Sequence, residues 1–131
     1  MEITYPSVEQ IIEFNVLVLE LIKAKKADRA EVKSKIKILH AIEACKEDIG
    51  NIYKKAAVLL LELVRMHPFA SGNRRTAFIV TKDFLLENNA IFMVPNDASN
   101  ARILLGVREG FYTSEEIADW LKHGKIKPFT R

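Results

Sequence analysis

Apolar residues recur at three- and four-residue steps along most of this chain, the period of amphipathic helices. The first such stretch follows Ser7-Val8-Glu9-Gln10, which has the form of a capping box. Ile11, Ile12, Phe14, Val18, Leu19, Leu21 and Ile22 then predict a helix over roughly residues 8–25. Lys23, Lys25 and Lys26 crowd its end, where cations suit the negative end of the helix dipole. A second helix is expected from Asp28, with Glu31 three positions later, through Val32, Ile36, Leu39, Ile42 and Cys45 to near Gly50. Its Lys33, Lys35 and Lys37 read as a solvated face.

Ile52, Ala56, Leu59, Leu60, Leu63 and Val64 form a stripe broad enough for a third helix largely enclosed by others. It must stop near Met66, because Pro68 disfavours helical geometry at His67. After the turn Phe69-Ala70-Ser71-Gly72-Asn73, a fourth helix carries Ala77, Val80, Phe84 and Leu85 and ends at Asn88-Asn89. Ala90 to Val94 reads as a short extended stretch closed by Pro95-Asn96-Asp97. A fifth helix runs to about Glu109, stopped by Gly110, and Thr113-Ser114-Glu115-Glu116 caps a sixth with Ile117, Trp120 and Leu121. The tail 123–131 is polar and expected to fray. No repeat or linker interrupts the pattern. It predicts one all-α domain over residues 1–131, a bundle of about six helices packed around the third and fourth.

Composition narrows the class. Of 131 residues 49% are apolar, with five glycines and four prolines, which excludes disorder and low complexity. A net charge of +3 permits a polyanionic partner without requiring one. No aromatic side chains interleave the lysines from Lys23 to Lys37 to stack bases, so nucleic-acid binding is not expected. Cys45 stands alone, which removes an intrachain disulfide and a cysteine metal framework. The amino terminus lacks the basic start and cleavage site of a signal peptide, and a cytoplasmic protein is expected. The most apolar run, Ile11 to Ile22, is broken by Glu13, Asn15 and Glu20 and falls short of the ~20 residues that span a bilayer.

One segment stands apart, His67-Pro68-Phe69-Ala70-Ser71-Gly72-Asn73-Arg74-Arg75-Thr76-Ala77. It sets an imidazole in a tight turn whose other end opens a helix at Gly72 and Asn73. Free amides at a helix start, unobstructed where Gly72 lacks a side chain, form an anion site, and Arg74 and Arg75 add fixed positive charge. A base beside a phosphate cradle points to phosphoryl or nucleotidyl transfer. The plainer reading is a structural His before Pro in an ordinary turn. Paired arginines oppose the dipole at a helix start, however, and that favours a functional loop.

The segment resembles the signature of the Fic/Doc family, His-x-Phe-x-(Asp/Glu)-(Gly/Ala)-Asn-(Gly/Lys)-Arg, over residues 67–75. Similarity to the Doc (death-on-curing) branch extends to Tyr53-Lys54-Lys55-Ala56-Ala57, Phe84-Leu85-Leu86-Glu87-Asn88-Asn89, Glu116-Ile117-Ala118-Asp119-Trp120-Leu121 and the opening Tyr5-Pro6-Ser7-Val8. The resemblance implies a Fic/Doc helical fold and ATP or another nucleoside triphosphate as cofactor. His67 becomes the general base for a target protein's Ser, Thr or Tyr hydroxyl, and Phe69 an inward anchor. Gly72 and Asn73 become the anion hole, and Arg74 and Arg75 bind nucleotide, with Arg75 counted as catalytic beside His67.

The sequence departs from the pattern in five respects. Ser71 occupies the family's acidic metal position, and a hydroxyl holds Mg²⁺ far less well than a carboxylate. Arg74 stands where Doc proteins carry Lys, and Phe78 stands where AMP-transferring Fic proteins carry a second arginine; both favour phosphoryl transfer. The glycine-rich flap that docks targets is replaced by Lys25-Lys26-Ala27-Asp28-Arg29. Thr81 and Ser114 lack the Glu of the family's autoinhibitory element, so inhibition is expected from another chain, an antitoxin. The resulting expectation is a Doc-like toxin of a toxin-antitoxin pair; the alternative is a pseudoenzyme impaired at Ser71.

Overall fold

The computed structural model describes residues 2–21 and 29–130. In chain order its helices are α1 (Val8–Leu21), α2 (Lys35–Glu47), α3 (Ile52–Met66), α4 (Asn73–Glu87), α5 (Asn100–Arg108) and α6 (Ser114–His123). Among the described residues there is no strand, and a lone antiparallel bridge joins Val32 to Phe69. The expected all-α class with six helices holds.

Helix ends follow local chemistry. At α1 the Gln10 amide donates to Ser7 Oγ at 3.1 Å and the Ser7 amide to Gln10 Oε1 at 2.9 Å, the reciprocal cap expected from the sequence. The lysines placed at its end, Lys23, Lys25 and Lys26, lie outside the described residues, as does Asp28. The start of α2 differs from the expectation: Ser34, accepting from the Lys37 amide at 3.2 Å, is the cap. The amides of Lys33 and Ser34 donate to the Pro68 carbonyl at 2.8 and 3.2 Å, and the Ala70 amide donates to the Glu31 carbonyl at 3.0 Å. Backbone committed to this pairing is extended, so Glu31 and Val32 cannot join the helix.

The other end of α2 is closed by a cation. Lys55 is buried to 7% exposure and its Nζ donates to the carbonyls of Cys45, Lys46 and Asp48. These carbonyls have few or no partners within the helix, and an ammonium there also complements the dipole. Asn51 caps α3 by accepting from the Lys54 amide at 2.9 Å, and the box at Thr113 and Glu116 starts α6 as the sequence predicts.

The core is built on α3, which packs against α2, α4, α5 and α6. Ala56, Leu59, Leu60, Leu63 and Val64 are all buried, and from α4 Ala77, Val80, Phe84 and Leu85 meet them. α1 lies on α4 and α2. Residues 90–94 stay irregular. Tyr53 Oη donates to the Ile91 carbonyl at 2.6 Å and the Met93 amide to the Leu121 carbonyl at 3.2 Å, with no neighbouring strand to pair.

The tail is a second correction. Through residue 130 it lies on the bundle rather than fraying: Phe129 is buried to 4%, Tyr112 Oη donates to the Lys127 carbonyl at 2.8 Å, and Arg102 Nε donates to the Phe129 carbonyl at 3.2 Å. Gly106 makes room for this packing, since a Cβ there would fall 2.5 Å from the Tyr112 ring and 3.0 Å from that of Phe129. One buried aromatic outweighs the polar composition around it. No helix among the described residues is long and apolar enough to cross a membrane.

Candidate active site

The loop from α3 to α4 and the first turn of α4 carry the motif residues, from His67 to Arg75. His67 ends α3 in the left-handed region, φ 49° and ψ 59°, uncommon for a residue with a side chain. Gly72, at φ 75°, opens α4. Between them Phe69 is buried to 2%, the inward anchor that was expected.

Two asparagines and one backbone segment hold the loop. Asn73 braces it from within: its Oδ1 accepts from the Phe69 amide at 3.0 Å, and its Nδ2 donates to the Phe69 carbonyl at 2.9 Å and lies 3.3 Å from His67 Nδ1. This amide nitrogen is a donor, so the neutral imidazole faces it with the Nδ1 lone pair and carries its proton on Nε2. Asn15, buried in α1, donates to the Ser71 carbonyl at 2.9 Å and to Thr76 Oγ1 at 3.1 Å. The 31–34 segment clamps Pro68 and Ala70 from outside through the bridge pairing described above.

The start of α4 has a glycine at its cap position. Its first intrahelical bond runs from the Thr76 amide to the Gly72 carbonyl at 2.9 Å, which leaves the amides of Asn73, Arg74 and Arg75 ahead of it. The cap residue, Gly72, has no side chain to cap them, and no acidic residue lies in the first turn. α1, α2, α3 and α6 each have a Ser, Asn or Thr oxygen in that place. A helix start with glycine at its cap position and two arginines in its first turn has the chemistry that attracts an anion.

The electrostatics of His67 agree. Desolvation, then the positive charges of Arg108, Arg74 and Lys37, push its pKa below the ordinary imidazole value. The ring is neutral at pH 7 and able to accept a proton.

The residues do not fit Mg²⁺. Ser71 offers no carboxylate, the Asn73 amide is spent on the loop, and the charges that act on the imidazole are positive. Among the described residues no group of three or more His, Cys, Asp or Glu side chains could hold a metal ion. Phe78 is turned to structure, its ring 5.5 Å from Phe92 and 5.9 Å from Trp120.

Asn15, Thr76, Lys37 and Arg108 were not anticipated at the site. A signal existed for Asn15, a polar residue on the apolar stripe between Ile11 and Val18. Lys37 and Arg108, whose charges act on His67, carried none, since Lys37 reads as part of a solvated face and Arg108 stands near the end of the fifth helix.

No curated protein matches this chain. The family model of the Fic/DOC family matches residues 5–85, more than half of the chain, spanning α1 to α4 and the whole loop. Proteins of this family act on protein targets and use ATP or another nucleoside triphosphate. On that match, and with the motif loop held as described, the chain belongs to the Fic/DOC family.

Proposed function

We propose that this protein is a Doc-like transferase that moves the γ-phosphoryl group of a nucleoside triphosphate to a Ser, Thr or Tyr hydroxyl of another protein. The observation that carries the reading is the uncapped start of α4, with Arg74 and Arg75 in its first turn, beside an imidazole kept neutral. Phosphates rest on the free amides and guanidinium groups, and the target hydroxyl approaches His67. The substrate oxygen replaces the Asn73 amide at Nδ1, His67 takes the hydroxyl proton, the oxygen bonds to the γ-phosphorus, and the bond to the β-phosphate oxygen breaks to release the nucleoside diphosphate.

Phosphoryl rather than adenylyl transfer is favoured by Phe78, whose place among Phe92 and Trp120 leaves no second arginine at that position. A role as the toxin of a toxin-antitoxin pair in the cytoplasm, held in check by an antitoxin, accords with the family and with the absence of the Glu that autoinhibition needs at the fourth position after Thr81 or Ser114. The second reading, a nucleotide- or partner-binding pseudoenzyme on the same fold, is favoured by Ser71 at the acidic position.

Incubation with lysate and ATP labelled at the α or the γ phosphate separates these. Transfer of γ label to protein, lost in His67→Ala, is the expected result. Transfer of α label would establish adenylylation instead, and transfer of neither the pseudoenzyme.

A further inference from the structure

Asn15 is 1% exposed, and its side-chain amide nitrogen serves the turn that opens α4. The two hydrogens of that nitrogen meet two acceptors, the Ser71 carbonyl at 2.9 Å and Thr76 Oγ1 at 3.1 Å. Thr76, equally buried, is the residue whose amide makes the first intrahelical bond of α4, to the Gly72 carbonyl. The two anchors therefore bracket Gly72, Asn73, Arg74 and Arg75.

The first anchor also sets a direction. A trans peptide unit is planar, so the Ser71 carbonyl and the Gly72 N–H point opposite ways, and no peptide bond among the described residues is cis. With the carbonyl drawn to α1, the Gly72 N–H points away from α1. Gly72 brings no side chain to resist rotation of this peptide plane, and at φ 75° it has a freedom that other residues lack. A Cβ there would lie 3.4 Å from Asn15 Nδ2 and 3.1 Å from Leu19 Cδ2, so the glycine that permits rotation is also what lets α1 fit closely against the turn.

We infer that Asn15 is a positioning residue of the phosphate site, locking the Ser71–Gly72 peptide so that the Gly72 amide joins the first amides of α4 as a donor to the anion. This rests on the nucleotide-binding reading above and extends it to a residue of α1, outside the motif. Without the Asn15 bond the peptide plane can turn over, which would set a carbonyl oxygen where an anion needs a donor. A donor held in place before the ligand arrives spares the cost of ordering it on binding.

The test is calorimetry with inorganic tripolyphosphate and with ATP, each in EDTA and in Mg²⁺, at a temperature where circular dichroism shows every variant folded. Asn15→Leu removes both bonds at nearly constant volume and is expected to bind either ligand about tenfold more weakly. Thr76→Val should weaken binding about threefold, and Thr76→Ser, which keeps the oxygen, should restore the wild-type value. Asn88 is the control for stability alone. It is buried at the other end of α4, where its side chain pairs with both backbone groups of Thr4 and with the Phe84 carbonyl. Asn88→Leu should lower the melting temperature and bind as wild type. Equal weakening in Asn88→Leu and Asn15→Leu would reduce Asn15 to a structural residue and overturn the inference. If Asn15→Leu does not fold, the Thr76 pair decides, and wild-type affinity in Thr76→Val overturns it. If Arg75→Ala abolishes binding while Asn15→Leu and Thr76→Val bind as wild type, the inference fails and the nucleotide-binding reading stands. If neither ligand binds wild type in either buffer, both fail. NMR supplies a direct signature: the Gly72 amide resonance of wild type should move when tripolyphosphate is added. A Gly72 amide that stays while those of Arg74 and Arg75 move would show that it is no donor and overturn the inference.

Discussion

Asn15, buried in the middle of α1, uses a single amide nitrogen to hold both ends of the turn that opens α4, the Ser71 carbonyl at 2.9 Å and Thr76 Oγ1 at 3.1 Å. It stitches α1 to the loop before α4 and to the first turn of α4 itself. Asn15→Ala leaves a carbonyl and a hydroxyl without their donor and is expected to cost about 1–3 kcal/mol. Urea denaturation measures it. A double-mutant cycle with Thr76→Val should show coupling between the two sites, and strict additivity would mean that the hydrogen bond contributes nothing.

His67 sets a pH dependence. Its folded-state pKa lies below the ordinary 6.5, so the unfolded chain binds that proton more readily. The stability contribution is therefore full above pH 6.5 and is lost as the pH falls through that value toward the lower folded pKa. His67→Gln should flatten this step in a series of denaturation curves and abolish transfer. The acid limb of wild-type activity should lie below pH 6.5, and a limb above it would mean that the surrounding cations do not act on the ring.

Gly72 sits at φ 75°, and a Cβ there would lie 3.1 Å from Leu19 Cδ2. Gly72→Ala is expected to destabilise by about 1–2 kcal/mol, the cost of the left-handed conformation. The same change shifts the first amides of α4, so affinity for ATP should fall together with the melting temperature. Full affinity in a destabilised variant would show that these amides do not touch the ligand.

Ser71→Asp restores the family's acidic residue among cations arranged without it. Calorimetry is expected to show weaker ATP binding in EDTA and a new dependence on Mg²⁺. If wild type already requires Mg²⁺, the case against a metal site built on Ser71 is wrong.

Phe129 anchors a tail that composition alone marks as frayed. Phe129→Ala should destabilise by roughly 3–5 kcal/mol, the range for buried aromatic truncations. A change below about 1 kcal/mol in guanidinium melts would return the tail to solvent.

What the sequence determined by itself is local. The stripe from Ile52 to Val64, the boxes at Ser7 and Thr113, and the stop before Pro68 specify helices through contacts of three or four residues, and these appear where the pattern puts them. The family motif was legible too, because His67, Gly72, Asn73, Arg74 and Arg75 are neighbours in the chain. Only the tertiary structure decided the rest, because each remaining feature joins residues far apart in sequence. The start of α2 moved to Lys35 once the Glu31, Lys33 and Ser34 backbone paired with Pro68 and Ala70. The tail folded down because Gly106 leaves space for Phe129. Asn15 reached the Ser71 carbonyl and Thr76 because α1 packs on α4, and a side-chain amide bonds across space irrespective of chain order.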